Sequence, residues 1–365
     1  MTVMLIENKE QWDKFVDENP NGLIYHKWDF LKIVEKHTGF QFLPIGIFNG
    51  QILVGILPLF FQNKIIKMLF SSPPNSAIPY SGFLLTNEYD QLKQDKKESI
   101  MKLVVDDIQS ATEKFSPNYI SILTVPGYLD IRQFKWHGYD VIPNYSYSID
   151  LTRPIESIWG DFKKNLRKQL KIAEDRKLKF QQSNDVDLFY RFLSDRYSEQ
   201  NLRCPIISKE YLQELIDTFP QEILLHYILD ENDEPIGAII TQHYKKVIVW
   251  LGNTRINDNN FGNEFSIWKL IQLGKSEKLP ILEINGASHK GLCQFKSKFN
   301  PSLTIQFIIS RKDITGKFAE KLFQIFVKRR FLKFPFQNTN ETCGHRSYTG
   351  KTDMMPKATS IQDEN

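Results

Sequence analysis

The sequence predicts an α/β fold made of two copies of one domain, each a mixed, mostly antiparallel sheet flanked by helices. Two apolar hairpin patterns carry a glycine at matching places, Gly55 and Gly237, about 180 residues apart. Phe70 and Trp250, each just ahead of a polar loop, repeat at nearly the same distance. A repeat of that length is typical of a duplicated domain.

Both copies show the same order of elements. The first predicts a helical region (8–38), a hairpin (42–62), a Pro- and Ser-rich loop (71–82), a helix (91–115) and a buried strand (118–125). The second predicts a helical region (185–219), a hairpin (223–244), a strand (246–252), a helix from about Gly262 and a strand (280–285). Asn49-Gly50, between alternating apolar arms, is a tight-turn signal for the first hairpin.

The segment that joins the copies predicts a basic amphipathic helix. Pro154 suits a helix start, and one apolar stripe with helical spacing follows, Phe162, Leu166, Leu170 and Ala173. A basic band runs beside the stripe, Lys164, Arg167, Lys168 and Lys171. Two interpretations stay open, because such a band either faces solvent or holds phosphates.

These patterns divide the chain into four parts. We expect a first domain (1–150), a second domain (151–312), a C-terminal amphipathic basic helix (313–336) and a disordered tail (337–365). The C-terminal helix either packs on the body of the protein or lies on an anionic membrane surface.

The composition excludes several classes of protein. Its 41% hydrophobic and 25% charged residues are ordinary for a folded protein, and a net charge of +4 does not suit a polycation. The three cysteines are widely spaced, which argues against a disulfide framework and predicts a reducing cytoplasm. The N-terminal residues lack the pattern of a signal peptide, and no apolar run is long enough to span a membrane.

The stretch 285–300 concentrates reactive side chains, but it does not predict a nucleophile or a metal site. His289 and Cys293 lack the partners that Cys catalysis needs, and two ligands are too few for zinc. Gly286 and Gly291 predict a bent loop there. The sequence also contains no nucleophile elbow, P-loop or dinucleotide motif. What remains is chemistry that needs no protein nucleophile, and transfer of an acyl group to an amine is one such chemistry, because it needs position and charge stabilisation.

Four segments together resemble the Fem-type peptidyltransferases, which build peptidoglycan cross-bridges from aminoacyl-tRNA and belong to the wider GNAT-like acyltransferase group. Residues 165–180 resemble the family's R-x-x-I-R-K-A-x-x-x-G signature, with Lys177 in place of the last Gly. Residues 291–300 resemble its late G-L-x-x-F-K-x-x-F-G motif, with Asn300 in place of Gly. Residues 24–40 and 72–82 resemble its N-terminal helix and first-domain loop.

The resemblance implies two GNAT-like domains in tandem and a set of site residues. Lys296 would stabilise negative charge at the reacting ester, and Phe295 would shape and dry the site beside it. Four residues would bind the phosphate-bearing acceptor: Trp28, Lys32, Tyr80 and Arg167. Gly262 and Asn263, at a helix N-terminus, would bind the donor, although a standard CoA loop would carry further glycines.

The resemblance therefore implies an acyl or aminoacyl transferase acting on an amine of a nucleotide- or lipid-linked cell-envelope precursor. It implies no tightly bound cofactor, and aminoacyl-tRNA and acyl-CoA both stay open as donors. One alternative is a CoA-dependent N-acyltransferase on a small molecule or glycan, and another is a non-catalytic ligand-binding protein. We expect a cytoplasmic protein, with peripheral contact at the inner membrane surface left open.

Overall fold

The computed structural model describes residues 4–199, 204, 206–254, 261–287 and 290–329. His289 and the predicted tail, 337–365, lie outside the described residues, as does the end of the predicted C-terminal helix, 330–336.

The described residues form twelve strands and eleven helices. The strands are β1 (Gln41–Asn49), β2 (Ile52–Asn63), β3 (Lys67–Phe70), β4 (Leu84–Leu85), β5 (Tyr119–Leu123), β6 (Asp140–Asp150), β7 (Lys179–Ser183), β8 (Ile223–Leu229), β9 (Pro235–Tyr244), β10 (Lys246–Thr254), β11 (Ile281–Ile284) and β12 (Ser302–Lys312). The helices are α1 (Lys9–Glu18), α2 (Trp28–Thr38), α3 (Gln94–Phe115), α4 (Arg132–Trp136), α5 (Ile155–Asp161), α6 (Lys164–Asp175), α7 (Val186–Glu199), α8 (Lys209–Thr218), α9 (Gly262–Ser276), α10 (Lys290–Lys296) and α11 (Ile314–Arg329).

All twelve strands belong to one sheet with the order β1-β2-β3-β5-β12-β6-β11-β10-β9-β8-β7, and β4 pairs with β2 outside this path. Two neighbouring pairs, β3 with β5 and β10 with β11, are parallel, and the other pairs between these strands are antiparallel. The sheet is therefore mixed and mostly antiparallel, as predicted.

The order of strands repeats about the centre of the sheet. Reading outward from the β12–β6 pair, β5, β3, β2 and β1 on one side correspond to β11, β10, β9 and β8 on the other. Gly55 lies in β2 and Gly237 lies in the corresponding β9, so the repeat found in the sequence is present in the structure. The two copies exchange their last strands, because β12 lies between β5 and β6. The domain boundaries at 150 and 312 stay a prediction.

Side chains on opposite faces of the sheet enter two different cores. On one face of the second half, alternate residues of β6, β10 and β11 such as Val247, Leu282 and Ile284 pack under α5, α6 and α9. The other core includes residues of both halves, among them Phe30 and Trp250, whose ring centroids lie 6.4 Å apart. Residues of β11 that alternate with Leu282 and Ile284 consequently point toward the first half.

Several predicted elements are present with corrected boundaries. The helical region 8–38 is two helices, α1 and α2, separated by a 3-10 turn. The predicted apolar stripe is buried, but its first member, Phe162, lies at the C-terminal cap of α5 ahead of α6. The bent loop expected around Gly291 is wrong, because Gly291 lies inside α10 and Lys296 is the last residue of this helix.

The two departures from the family's glycines occupy positions with left-handed backbone. Lys177 follows α6 with φ of 55°, and Asn300 follows the turn after α10 with φ of 52°. Glycine adopts this conformation without steric cost, and asparagine tolerates it better than most residues. Both positions therefore keep a left-handed backbone although neither residue is a glycine.

Candidate active site

The side chain of Lys296 is buried at the centre of the second half, with 7% of the residue exposed. Its Nζ donates to the backbone carbonyls of Asn285 and of Gly286, the latter at 2.9 Å. Burial lowers the pKa of the ammonium to about 8, and the nearby Cys293 partly opposes this shift. Among the described residues, no carboxylate pairs with Lys296. A buried cation held only by neutral carbonyls is costly, which marks a functional candidate.

Phe295 precedes Lys296 in α10, and its ring connects this helix to the start of α9. The Phe295 ring meets Phe299 edge to face, with centroids 5.8 Å apart, and the Lys298 Nζ lies 5.5 Å from its centroid. Lys298 also pairs with Glu264, in the first turn of α9, at 3.1 Å. Phe295, Lys296 and the helix N-terminus predicted to bind the donor are thus parts of one connected region.

The donor-binding candidates themselves open α9. Gly262 is the buried first residue of the helix, and Asn263 is exposed with its carbonyl accepting a hydrogen bond from Ser266 at 2.9 Å. Glu264 follows with 8% of its surface exposed. A carboxylate in the first turn already complements the positive end of the helix dipole, so this terminus is less suited to a pyrophosphate than a neutral one.

A chain of polar side chains continues from the Lys296 loop across the sheet. The Ser146 hydroxyl on β6 lies 3.3 Å from Asn285 Oδ1 and 3.1 Å from Glu283 Oε1, so its one proton is shared between two acceptors. Glu283 Oε2 accepts from Lys246 Nζ at 2.7 Å. Glu283 is 3% exposed, and a buried carboxylate with its partners in place is stable only as a complete set.

Tyr80 belongs to this polar chain. It is fully buried, and its hydroxyl donates to Glu283 Oε2 at 2.5 Å and accepts from Lys246 Nζ at 2.9 Å. Burial and the Glu283 carboxylate raise the pKa of Tyr80 well above its usual range, so the phenol is the donor. Tyr80 is therefore part of the hydrogen-bonded network that leads to the Lys296 loop, and its hydroxyl is hydrogen-bonded to Glu283 and Lys246.

Arg167 lies near the same region but is engaged by backbone. One of its terminal nitrogens, Nη1, donates to the carbonyls of Gly160 at 2.6 Å and Phe162 at 3.0 Å, at the C-terminal end of α5. The exposed lysines of α6 and its cap, in contrast, form no ion pair among the described residues: Lys163, Lys164, Lys168 and Lys171. They present a positive surface beside the Arg167 position.

Trp28 and Lys32 occupy α2 in the first half. Trp28 packs on Trp12 and Phe42, with ring centroids 6.1 and 5.4 Å away. Lys32 is about half exposed and pairs with Glu35 in its own helix. No described hydrogen bond, ion pair or ring contact of either residue reaches the second half. Their roles in acceptor binding stay a prediction, as do those of the other predicted site residues.

The sequence did not single out the polar chain of Lys246, Ser146, Glu283 and Asn285. One signal was present, since Glu283 and Asn285 interrupt an otherwise apolar strand segment, and a charge in a buried strand needs partners. Lys246 and Ser146 come from other strands, and their proximity follows from register alone.

No group of three or more His, Cys, Asp or Glu side chains in the described part of the chain has the arrangement of a metal site. None of the helices described is both long enough and apolar enough to cross a membrane.

Comparison with known proteins gives a result for the fold. No family model matches the sequence, and no curated protein matches it significantly. The structure matches FemX with a TM-score of 0.65 and 11% identity, over 84% of this chain and 97% of that chain. It matches L-PGS from Bacillus licheniformis with a TM-score of 0.55 and 13% identity, over 91% of this chain and 99% of that chain.

A conserved protein of unknown function from Bacteroides thetaiotaomicron also matches, with a TM-score of 0.55 and 9% identity over 85% of this chain and 99% of that chain. The chain therefore has the fold of FemX and L-PGS across nearly their whole lengths. This confirms the Fem-like and GNAT-like fold that the motifs implied.

Proposed function

We propose that this protein is an acyltransferase that moves an acyl or aminoacyl group from an activated ester to an amine of a cell-envelope precursor. The observation that carries the proposal is the buried Lys296 ammonium, held by two carbonyls and lacking a carboxylate partner among the described residues. Support comes from the fold that the chain shares with FemX and with L-PGS.

The geometry suits charge stabilisation in acyl transfer. The neutral acceptor amine attacks the carbonyl carbon of the ester, a C–N bond forms, the C–O bond to the leaving alcohol breaks, and the nitrogen proton passes to that oxygen. Negative charge develops on the carbonyl and leaving oxygens during these steps. Lys296 has three N–H groups and two carbonyl partners, which leaves one N–H to meet the developing charge.

The acceptor carries phosphate in this proposal. Of the unpaired lysines of α6 and its cap, Lys163 and Lys164 lie at the helix N-terminus, which has no acidic residue in its first turn, and Lys168 and Lys171 follow along the helix. Backbone N–H groups and lysines together favour an anion. A nucleotide- or lipid-linked precursor supplies phosphate, and a lipid-linked one would bring the protein to the inner membrane surface, where α11 is the expected contact.

The donor is proposed to be an aminoacyl ester rather than acyl-CoA. Glu264 occupies the first turn of α9, where its carboxylate already complements the positive end of the helix dipole, so this terminus is less suited to the CoA pyrophosphate. No tightly bound cofactor is needed for the chemistry described.

A transfer assay tests the function directly. Purified protein is mixed with an amine-bearing nucleotide- or lipid-linked precursor and with charged tRNA or acetyl-CoA in parallel, and product is followed by mass spectrometry. We expect product with charged tRNA, and thermal unfolding shifted upward by the acceptor. Product with acetyl-CoA alone would favour the N-acyltransferase alternative. Binding without product from either donor would favour the non-catalytic alternative and overturn the proposal.

Matched variants test the acceptor site. Replacement of Lys164 and Lys168 by Ala should weaken precursor binding, measured by titration calorimetry, while the two exposed lysines Lys93 and Lys96 at the start of α3 serve as a control pair. Equal affinity in both double variants would exclude the α6 surface as the phosphate site.

A further inference from the structure

The two carbonyls that hold Lys296 belong to the residues that follow β11 directly. β11 is four residues long, and Asn285 and Gly286 continue the chain beyond it. Gly286 has φ of 82°, a conformation that turns its carbonyl away from the path of an extended strand. The position of the Lys296 ammonium therefore depends on how firmly Asn285 and Gly286 are held.

The side chain of Asn285 is anchored through Ser146 to Glu283. Ser146 lies on β6, the strand next to β11, and Glu283 pairs in register with Ser148, two residues along the same face. Both acceptors of the Ser146 proton lie within 3.3 Å. This link joins the loop that carries the carbonyls to the interior of the sheet.

Glu283 is in turn fixed from the opposite half. Tyr80 donates to it from the loop 71–82, and this loop makes two further contacts with the second half. Trp250 Nε1 donates to the carbonyl of Ala77 at 2.7 Å, and the Tyr211 hydroxyl donates to that of Ser76 at 2.9 Å. Ala77 has φ of 55°, a strained value for alanine that persists where surrounding contacts determine it.

We propose that Glu283, with Ser146, acts as a positioning residue for Lys296, and that Tyr80 makes this position depend on the first half of the protein. The inference rests on the proposed function for the role of Lys296. Tyr80 then helps to position the Lys296 ammonium, whereas the motif resemblance implied that Tyr80 contacts the acceptor. Glu283 and Ser146 act through Asn285 and do not touch substrate.

The test follows the Lys296 side chain itself. NMR of 15N-lysine-labelled protein, with Lys296→Arg used for assignment, gives the titration midpoint of the Lys296 amine. Cys293, on its own helix, acts on the Lys296 charge, and Tyr147 on β6 interacts with Cys293; both stay unchanged in every variant. Ser146→Ala should lower the midpoint by at least about half a pH unit, because carbonyls that are less well placed stabilise the ammonium less. Ser148→Ala, on the same face of the same strand, is the control and should titrate like the wild type.

Kinetics provide a second readout. Ser146→Ala should lower kcat about tenfold and leave the KM for the acceptor within about twofold, because a small displacement of a reacting group affects the rate more than binding. Tyr80→Phe should change both measurements in the same direction by a smaller amount, since Lys246 still holds Glu283. Glu283→Asp, which keeps the carboxylate, should lie closer to the wild type than Glu283→Gln.

The outcomes separate the two proposals. An unchanged titration midpoint and kcat in Ser146→Ala would overturn the positioning role and leave the transfer activity standing. Altered midpoints in a protein without transfer activity would support the positioning network and overturn the proposed function. A Tyr80→Phe variant identical to the wild type, beside an altered Ser146→Ala, would remove the dependence on the first half.

Discussion

The tripeptide Gln-Phe-Lys follows β5 in the first half and β11 in the second half. The first copy buries its phenylalanine, and the second copy buries its lysine. In α4, after β5, Phe134 is fully buried and Lys135 is exposed. In α10, after β11, Phe295 is half-buried and Lys296 is buried. A duplicated fold therefore carries one copy in which the lysine is a surface residue and one in which it is enclosed.

The strands that precede the two helices account for this difference. Glu283 lies between the buried Leu282 and Ile284 of β11, and Ser121 lies at the corresponding place between Ile120 and Ile122 of β5. No carboxylate thus occupies that place in the first half. Only the second half has the polar chain that leads to Lys296.

The backbone after each strand differs as well. After β5, Thr124 continues the pairing with β12, since its N–H donates to the Phe307 carbonyl at 3.0 Å and its hydroxyl accepts from the Phe307 N–H at 2.9 Å. After β11, the carbonyls of Asn285 and Gly286 turn to the Lys296 ammonium. A buried cation needs acceptors that strand pairing leaves available, and the two carbonyls after β11 meet this need.

The largest expected effect tests whether the two lysines differ in function. Lys296→Met should lower kcat for acyl transfer by about 100- to 1000-fold, the range for removal of one donor to a developing oxyanion. Lys135→Met should leave kcat within about twofold, because that side chain is exposed. Circular dichroism confirms folding of both variants, and comparable rates would show that the enclosed lysine has no catalytic part.

Replacement of Glu283 by serine, the residue at the corresponding place in the first half, tests what the carboxylate contributes to stability. Glu283→Ser, which copies Ser121, should lower the free energy of unfolding by about 3 kcal/mol, because Lys246 then loses its buried partner. The double variant Glu283→Ser, Lys246→Met should recover at least half of this loss. Urea denaturation measures both, and a single variant as stable as the wild type would contradict the assignment of Glu283 as the partner that holds Lys246.

The pH dependence of the reaction tests the protonation state of Lys296. Burial places its pKa at about 8, and the ammonium is the active form, so kcat should fall above pH 8 by about tenfold per pH unit. Lys296→Arg keeps its charge throughout this range and should lose this falling limb, whatever its absolute rate. A rate that rises through pH 8 in the wild type and levels above it would instead indicate a neutral amine acting as a base.

The smallest expected effect concerns the left-handed residues that flank the second-half motifs. Lys177→Gly should raise the free energy of unfolding by about 0.5–1 kcal/mol, since the relief of left-handed strain exceeds the entropy cost of glycine. Asn300→Gly should change it less, because asparagine tolerates this conformation. Urea denaturation of the two single variants gives the comparison, and a destabilised Lys177→Gly would show that the lysine side chain contributes contacts of its own.

The sequence by itself predicted both hairpins, several helices, the repeat and the motif that contains Lys296, whereas the central strands β6 and β12 were not predicted. Hairpins, amphipathic helices and the glycine spacing that relates Gly55 to Gly237 are local patterns, and each depends on side chains a few residues apart. The resemblance implied the fold that the structure confirms, because its four motifs are also short local patterns and occur in the right order. A local error, at Gly291, arose because a glycine is tolerated inside a helix when tertiary packing supports it.

Only the tertiary structure decided in which of the two identical tripeptides the lysine is buried. The polar chain joins Tyr80, Ser146, Lys246 and Glu283, which are far apart in sequence and meet through strand register and the docking of one loop. The engagement of Arg167 by the end of α5 is likewise a contact between elements. Burial and long-range pairing are properties of the assembled sheet, so no local pattern in the chain records them.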